Sequence, residues 1–197
     1  MAERRLTPRG ADRRRQLMDY AARRFAENGY HPTSVAEIVE GMGVGKGVFY
    51  WYFASKEELM LEILRESQTE LRRRQQAAIG DEADPVRRIE LGIRATMTWL
   101  SEQRHLVTLF ASAATESRFA DALRHGQQVT ISDVSRHVKE GIIAGRIRDA
   151  DPDVLTQAIL GVTNNLARAF IFDKDEPVDQ VADAAVDFCL SGLLGAR

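Results

Sequence analysis

Five consecutive aromatic residues, Phe49 to Phe53, place the strongest constraint on how this chain can fold. They closely follow three glycines, and they make up over a third of the 14 aromatic residues in the sequence. A helix completes a turn every 3.6 residues, so a single buried face cannot accommodate five adjacent rings. The four-residue spacing predicts that Phe49 and Phe53 are buried together. Tyr50, Trp51 and Tyr52 cannot all be buried with them.

Helix start and stop signals recur along the whole chain, and no stretch shows sustained alternation of apolar and polar residues. Two Ser-x-x-Glu capping boxes begin at Ser34 and Ser55, and two Asp-Pro helix starts begin at Asp84 and Asp151. These signals predict an all-α fold of about nine helices. The expected spans are about residues 12–28, 35–41, 45–53, 55–78, 84–100, 106–114, 119–144, 153–172 and 177–194.

The charges are unevenly distributed along the sequence. Residues 1–56 contain ten basic and six acidic residues and carry a net charge of +4, whereas the remainder carries −6. A basic head on an acidic body indicates an anionic partner such as nucleic acid, although terminal arginines can also serve solubility alone. The single cysteine, Cys189, excludes an internal disulfide bond. With a charged N-terminus and no long apolar run, the sequence leads us to expect a cytoplasmic protein.

Two short helices within this basic head are joined by a four-residue turn that contains glycine. This arrangement is typical of the helix-turn-helix motif of DNA-binding proteins. A short helix that starts with Gly-Lys-Gly can insert its N-terminal end into a major groove.

The stretch FAENGYHPTSVAEIVEGMGVGKGVFYWYFASKEEL, residues 25–59, resembles the DNA-binding head of the tetracycline-repressor (TetR) family of bacterial transcriptional regulators. The resemblance covers residues 17–61, including T-S-V-x-x-I, G-V-G-K-G-x-F-Y-x-Y-F and S-K-E-x-L. This chain has Gly45 where many members have serine, Met42-Gly43 in place of Ala-Gly, and a bulky Trp51. The resemblance implies a DNA-binding domain at residues 1–56, with an arginine-rich tail at 1–11, and a ligand-sensing and dimerisation domain at 57–197.

The resemblance, together with the residue types, indicates which side chains contact DNA. Tyr50 and Tyr52 are expected at the DNA backbone, and Trp51 at a thymine methyl group or a sugar edge. Alternatively, these rings only clamp the third helix against the fourth. The expected DNA-contacting residues are Thr33, Ser34, Gly45, Lys46, Gly47, Tyr50, Trp51, Tyr52 and Lys56. The arginines of the N-terminal region lie along the minor groove or stay solvated; they are Arg4, Arg5, Arg9, Arg13, Arg14 and Arg15.

The family resemblance further implies a repressor that binds a pseudo-palindromic operator as a homodimer and is released by a small, largely apolar ligand. Asn164 is the favoured ligand contact because a polar residue between apolar neighbours needs a partner. The candidate ligand-lining residues are Thr96, Trp99, Leu100, Leu106, Leu109, Phe110, Phe119, Leu123, Asn164 and Phe170. Packing in the protein core is the alternative role for each of them.

The last two helices are apolar on two sides, which indicates a partner within the subunit and another outside it. A large monomeric core is the alternative. The expected dimer-interface residues are Leu155, Ile159, Val162, Leu166, Val181, Ala185, Phe188 and Leu193.

An enzyme is disfavoured by the available motifs. Glu102 and His105 have the E-x-x-H spacing of di-iron bundles, but such sites need two pairs and only one is present. We therefore expect no cofactor, no metal and no catalytic residues. A helical interaction module without DNA binding remains the other alternative.

Overall fold

The computed structural model describes residues 6–194, and all regular structure within this range is helical. It confirms the predicted all-α fold, with nine α-helices in the described part of the chain. A short 3₁₀ turn covers Ser117–Phe119, and a π-helical segment covers Ala167–Phe172. The α-helices are α1 (Pro8–Asn28), α2 (Val35–Gly41), α3 (Lys46–Tyr52), α4 (Lys56–Ile79), α5 (Pro85–Glu102), α6 (Arg104–Ala113), α7 (Ala120–Ile143), α8 (Pro152–Leu166) and α9 (Val178–Leu194).

Helix α1 begins earlier than the sequence predicted. The hydroxyl of Thr7 accepts the Gly10 N–H at 3.2 Å, and Pro8 occupies the first turn, where its missing N–H costs nothing. Residues 8–11, expected to belong to the arginine-rich tail, are therefore helical. Arg4 and Arg5 lie outside the described residues, so their expected minor-groove role stays a prediction.

The helix starts predicted at Ser34, Ser55 and Asp84 have side-chain caps. Ser34 accepts the Glu37 N–H at 3.1 Å, and Ser55 accepts the Glu58 N–H at 3.0 Å. The carboxylate of Asp84 accepts the Val86 N–H at 3.1 Å at the start of α5. These local signals fix where α2, α4 and α5 begin.

The described residues form two compact units. The first comprises the chain up to Ser67 together with His105–Leu123, and the second comprises Gln68–Arg104 and the chain from Arg124 onward. The boundary expected after residue 56 is a division by function and stays a prediction. By packing, the first half of α4 and all but the first residue of α6 group with the N-terminal helices.

The first unit has an apolar core that includes two of the five adjacent rings. Phe49 and Phe53 are 0% and 1% exposed, and their ring centroids lie 5.8 Å apart, which confirms that they are buried together. Fully buried residues of the other helices surround them, namely Leu17, Ala21 and Phe25 from α1, Ile38 from α2, and Leu59 and Leu64 from α4. The short helix α3 is thus held by its inner side, which leaves its other side exposed.

The second unit is built around α5, α8 and α9, which pack against one another. Its core includes Ile89, Ile93, Met97, Val138, Leu155, Ile159, Val181, Ala185, Cys189 and Leu193. Burial raises the pKa of the Cys189 thiol to about 11, so this cysteine is an unreactive packing residue at neutral pH.

This core corrects the predicted dimer interface. Five residues expected at the interface are buried within the chain's own core: Leu155, Ile159, Val181, Ala185 and Leu193. Val162 and Leu166 are half-buried against the same core, and Phe188 is 67% exposed. The sequence left open which apolar residues of α8 and α9 face the chain's own core and which face a partner. Most of the residues predicted for the interface face the core.

The predicted continuous helix 153–172 is also interrupted. Regular α-helix ends at Leu166, and the chain continues as the π-helical segment Ala167–Phe172. Within residues 6–194, no helix combines the length and the apolar character needed to cross a bilayer.

Candidate nucleic-acid interface

Helices α2 and α3 form a helix-turn-helix whose turn depends on Gly43. This glycine has a φ of +63°, a left-handed conformation that side-chain-bearing residues rarely adopt. The next N–H, from Val44, donates to the Val39 carbonyl at 2.9 Å and closes the turn onto α2. The glycine noted in the turn thus has a conformational role.

The outward side of α3 presents a lysine and two aromatic rings. Tyr50 is 55% exposed and Trp51 is 50% exposed, and Lys46 is also exposed. A β-carbon built on Gly45 or Gly47 would meet no atom within 4 Å, so open space surrounds the start of this helix. The structure thus brings together five of the residues predicted to contact DNA.

Tyr52 lies at the edge of this surface and is half-buried. Its ring makes an edge-to-face contact with Trp51, with centroids 4.5 Å apart. A β-carbon built on Gly10 would lie 3.7 Å from the Tyr52 hydroxyl, which places this hydroxyl beside the first turn of α1. The start of α1, with Arg9 exposed in its first turn, therefore adjoins the surface formed by α3.

Thr33 and Ser34 differ although both were predicted to contact DNA. Thr33 is fully buried, and its hydroxyl donates to the Gly29 carbonyl at 2.9 Å, so it is not available to a phosphate. Ser34 is exposed, and its hydroxyl accepts an N–H as the cap of α2, which leaves its own hydrogen available to donate. The prediction for Thr33 was wrong because its hydroxyl satisfies a carbonyl that follows α1.

Lys56 also has a different role from the one predicted. Its ammonium donates to the carbonyls of Tyr30, His31 and Thr33 at 2.7, 3.2 and 2.9 Å. It lies 4.4 Å from the centroid of the Tyr30 ring, and burial lowers the pKa of the Lys56 ammonium. Since all three hydrogens bond carbonyls of the loop between α1 and α2, Lys56 holds this loop and has no hydrogen left to donate to a phosphate.

The same loop is anchored by the segment before α7. Tyr30 makes an edge-to-face contact with Phe119 at 5.2 Å, and His31 Nε2 lies 2.5 Å from Glu116 Oε1. Arg118 is also within cation–π distance of the Tyr30 ring. These contacts bring residues 116–119 into the first unit, and no local sequence signal predicted them.

Two arginines of the basic head form ion pairs within the first unit. Arg14 donates to Glu62 at 2.6 Å and to Glu66 at 3.0 Å. Arg24 donates twice to one oxygen of Glu37, at 2.6 and 3.1 Å, and these hydrogen bonds hold the pKa of Glu37 below its ordinary value. The positive charge on the outward side of α3 is therefore carried by Lys46, while Arg14 and Arg24 join helices.

The residues predicted to line a ligand site divide between the two units. Leu106, Leu109, Phe110, Phe119 and Leu123 belong to the first unit, and Thr96, Trp99, Leu100, Asn164 and Phe170 to the second. Phe119 is fully buried and contacts Tyr30, so its role is packing. Asn164 is exposed, which removes the reason for choosing it, since its amide is open to solvent. The other eight stay predictions.

Two further features of the described residues bear on binding chemistry. The Thr96 hydroxyl donates to the Gly92 carbonyl at 2.7 Å and accepts from Gln75 at 2.9 Å, so it already has both a hydrogen-bond acceptor and a donor as partners.

A groove of about 430 Å³ follows α7 in the second unit, and it includes none of the predicted ligand residues. Its lining combines the apolar side chains of Ile131 and Ile143 with polar and charged residues, namely Gln128, Ser132, Ser135, Arg136, Lys139, Glu140 and Asp153.

Glu102 and His105, the lone E-x-x-H pair, have separate surroundings. The carboxylate of Glu102 accepts a hydrogen bond from Arg74 within the second unit. In the first unit, burial lowers the pKa of His105, and Arg23 adds to this effect. Within residues 6–194, no cluster of three or more His, Cys, Asp or Glu side chains has a metal-binding arrangement.

Comparison with known proteins identifies both parts of the chain. The family described as "Bacterial regulatory proteins, tetR family" matches residues 17–63, which include the helix-turn-helix. The description "Tetracyclin repressor-like, C-terminal domain" matches residues 82–193, more than half of the chain.

Similar individual proteins extend over most of the sequence. A fatty acid metabolism regulator protein of Bacillus subtilis (strain 168) is 24% identical over 183 residues, covering 90% of this chain and 94% of that protein. The HTH-type transcriptional repressor KstR2 of Mycobacterium tuberculosis is 27% identical over 158 residues, covering 77% of this chain and 78% of that protein. The crystal structure of FadR from Bacillus subtilis in complex with stearoyl-CoA has the same fold, with a TM-score of 0.81 at 21% identity, covering 91% of this chain and 98% of that one.

The exposed side of α3 and the two family matches lead to the same assignment. This chain belongs to the TetR family of bacterial transcriptional regulators.

Proposed function

We propose that this protein is a repressor that binds a double-stranded operator as a homodimer and is released by a small, largely apolar ligand. The observation that carries the proposal is the division of α3 into two sides. Phe49 and Phe53 are buried, while Lys46, Tyr50 and Trp51 are exposed. The buried rings fix α3 in the core of the first unit. The exposed Lys46 ammonium and Tyr50 hydroxyl are suited to phosphate contacts, and the rings of Tyr50 and Trp51 are suited to base and sugar edges.

The proposed dimer is supported by exposed apolar side chains on α8 and α9. Val154, Phe188 and Leu194 are 63%, 67% and 53% exposed. Large apolar side chains exposed on two helices that pack together are typical of an interface with another chain. We assign these residues to the interface in place of the five that are buried in the chain's own core. A two-fold dimer would bind a pseudo-palindromic operator with half-sites about one helical turn apart.

The ligand class is proposed from the names of similar proteins. One relative is named for fatty acid metabolism, and one similar structure contains stearoyl-CoA. Long-chain acyl-CoA, whose acyl chain would be the apolar part of the ligand, is therefore the first class to test on this protein. Release would follow from a population shift, in which the ligand favours a subunit arrangement that no longer matches two successive grooves.

The test has two parts, which use fluorescence anisotropy with a labelled duplex. Binding should weaken with added salt, with a log–log slope of about −0.9 for each phosphate contacted. Stearoyl-CoA should then displace the duplex, whereas coenzyme A without an acyl chain should not. A flat salt response would contradict DNA binding and favour a protein-interaction module. Displacement by both compounds would contradict an acyl-specific ligand.

A further inference from the structure

Helix α3 offers few groups that hydrogen-bond to base edges. From Met42 to Phe53 the sequence contains no Arg, Asn, Gln, Asp, Glu, Ser or Thr. These residue types supply most of the hydrogen-bonded readout of bases in the major groove. Lys46 can donate hydrogen bonds to guanine or to a phosphate, and Tyr50 and Tyr52 each contribute one hydroxyl. Hydrogen bonding from α3 alone therefore distinguishes few base pairs.

The outward side of α3 is mainly apolar at its centre. At 100° per residue, Gly47 lies in the middle of the exposed arc, with Tyr50 on one side and Trp51 on the other. Val48 is half-buried and lies three residues before Trp51, so these two side chains are neighbours. Gly47 has no side chain, and a β-carbon built on it would meet no atom within 4 Å. A base edge can therefore approach Val48 and Trp51 closely.

The orientation of the Trp51 ring is restricted before any partner binds. Its edge-to-face contact with Tyr52 has a centroid distance of 4.5 Å, and Tyr52 is half-buried at the edge of the core. A ring that is already oriented loses less conformational freedom on binding than a freely rotating one. Trp51 is thus suited to a defined apolar contact.

Resting on the proposed DNA binding by α3, we infer that Trp51 and Val48 read the methyl groups of thymines and that these contacts supply the main base discrimination of the protein. The thymine C5-methyl is the apolar group that base pairs display in the major groove. Lys46 then contributes affinity, and one guanine at most.

The experiment begins by selecting binding sites from a random duplex pool with the full-length protein. Each thymine of the selected site is then replaced by deoxyuridine, which removes the methyl group and keeps the base pair. Affinity should fall about three- to fivefold at one or two thymines in each half-site, as expected for one buried methyl group, and stay unchanged elsewhere.

Two variants separate the ring contact from the hydroxyl contact. Trp51→Ala should bind more weakly and lose the deoxyuridine effect at its thymine, as in a double-mutant cycle. Tyr50→Phe should keep the full deoxyuridine effect, because it removes only a hydroxyl. Circular dichroism and thermal melting establish that both variants are folded. If Trp51→Ala is unfolded, the deoxyuridine scan with the natural protein decides by itself.

The outcomes distinguish this inference from the proposed function. A selected site at which deoxyuridine has no effect, or a site that contains no thymine, overturns methyl reading and leaves DNA binding intact. Loss of binding on 7-deazaguanine substitution alone would assign the reading to Lys46. Failure to enrich any sequence, together with a flat salt response, contradicts the proposed function itself.

Discussion

Two lysines ten positions apart show how the environment of a residue decides its role. Lys46 is exposed on the outward side of α3, with open space around the glycines beside it. Lys56 donates to three backbone carbonyls of the loop between α1 and α2. We therefore expect one to contribute to DNA affinity and the other to stability.

Lys46→Ala should weaken operator binding without destabilising the protein. Loss of one phosphate contact per subunit lowers the salt slope by about 1 for each contact. The thermal midpoint should stay close to that of the natural protein because exposed substitutions usually change stability by less than about 0.5 kcal/mol. Anisotropy over a salt series measures the slope, and an unchanged slope would remove Lys46 from the interface.

Lys56→Met is the matched variant, with the opposite outcome. It keeps the aliphatic stem and leaves three carbonyls without their donor, so the free energy of unfolding should fall by roughly 1–3 kcal/mol. Denaturant unfolding measures this change. Once folded, the variant should show the same salt slope as the natural protein; a lower slope would return Lys56 to the DNA contacts.

At this scale the sequence predicted what depends on local spacing. The burial of Phe49 and Phe53 and the caps at Ser34 and Ser55 follow from neighbours within four residues. The role of Lys56 could not be predicted in this way, because the carbonyls that it binds lie 23 to 26 positions away.

Among the elements, the loop between α1 and α2 is held by hydrogen bonds, an aromatic contact and an ion pair from residues distant in sequence. Tyr30 contacts Phe119, and His31 contacts Glu116, so residues 116–119, just before α7, hold the loop. The family resemblance placed Phe119 in a ligand site, and the packing contact could not be predicted because its partner, Tyr30, lies 89 positions away. Apolar character alone does not distinguish a ligand contact from a packing contact.

Phe119→Leu tests this correction. Replacing a fully buried ring with a smaller side chain should lower the free energy of unfolding by about 1–3 kcal/mol and loosen the loop between α1 and α2. Ligand affinity, measured by calorimetry with stearoyl-CoA, should change little. A large loss of ligand affinity with unchanged stability would restore Phe119 to the ligand site.

The ion pair between α1 and α2 gives the head a defined dependence on pH. Hydrogen bonds from Arg24 lower the pKa of Glu37 below its ordinary value of 4.5. A lowered pKa in the folded state means that the pair stabilises the protein above pH 4.5 and that this contribution is lost as the pH falls through the folded value.

Glu37→Gln isolates this contribution. The natural protein should have a higher thermal midpoint than the variant near neutral pH, and the difference should shrink below pH 4.5 as Glu37 takes up a proton. Thermal melts of both proteins over a pH series measure it. A difference that is constant with pH would show that the Arg24–Glu37 pair does not stabilise the head.

For the whole molecule, the arrangement of α8 and α9 decides how two copies can associate. Large apolar residues lie on both the inner and the outer sides of these helices, so the sequence alone could not tell the chain's own core from a surface. The structure resolves this, since Leu155 is buried in the core whereas Phe188 is exposed.

Phe188→Arg should therefore disrupt the proposed dimer. A charge at the centre of an apolar interface has no partner, so the variant should be monomeric in analytical ultracentrifugation and bind operator at least about tenfold more weakly. Leu155→Ala is the contrasting variant; it should lower the free energy of unfolding by about 2–5 kcal/mol and still dimerise when folded. A dimeric Phe188→Arg would place the interface elsewhere.

The central claim is that the outward side of α3 is covered by DNA, and the two tryptophans of the chain allow a direct test. Trp51 is half-exposed, whereas Trp99 is buried. In a Trp99→Phe variant the fluorescence comes from Trp51 alone, and operator binding should strongly reduce its quenching by acrylamide. The matching Trp51→Phe variant, which keeps Trp99, should show no change. If the Trp99→Phe variant binds operator and Trp51 stays equally accessible to acrylamide, α3 does not present this side to DNA and the account is wrong.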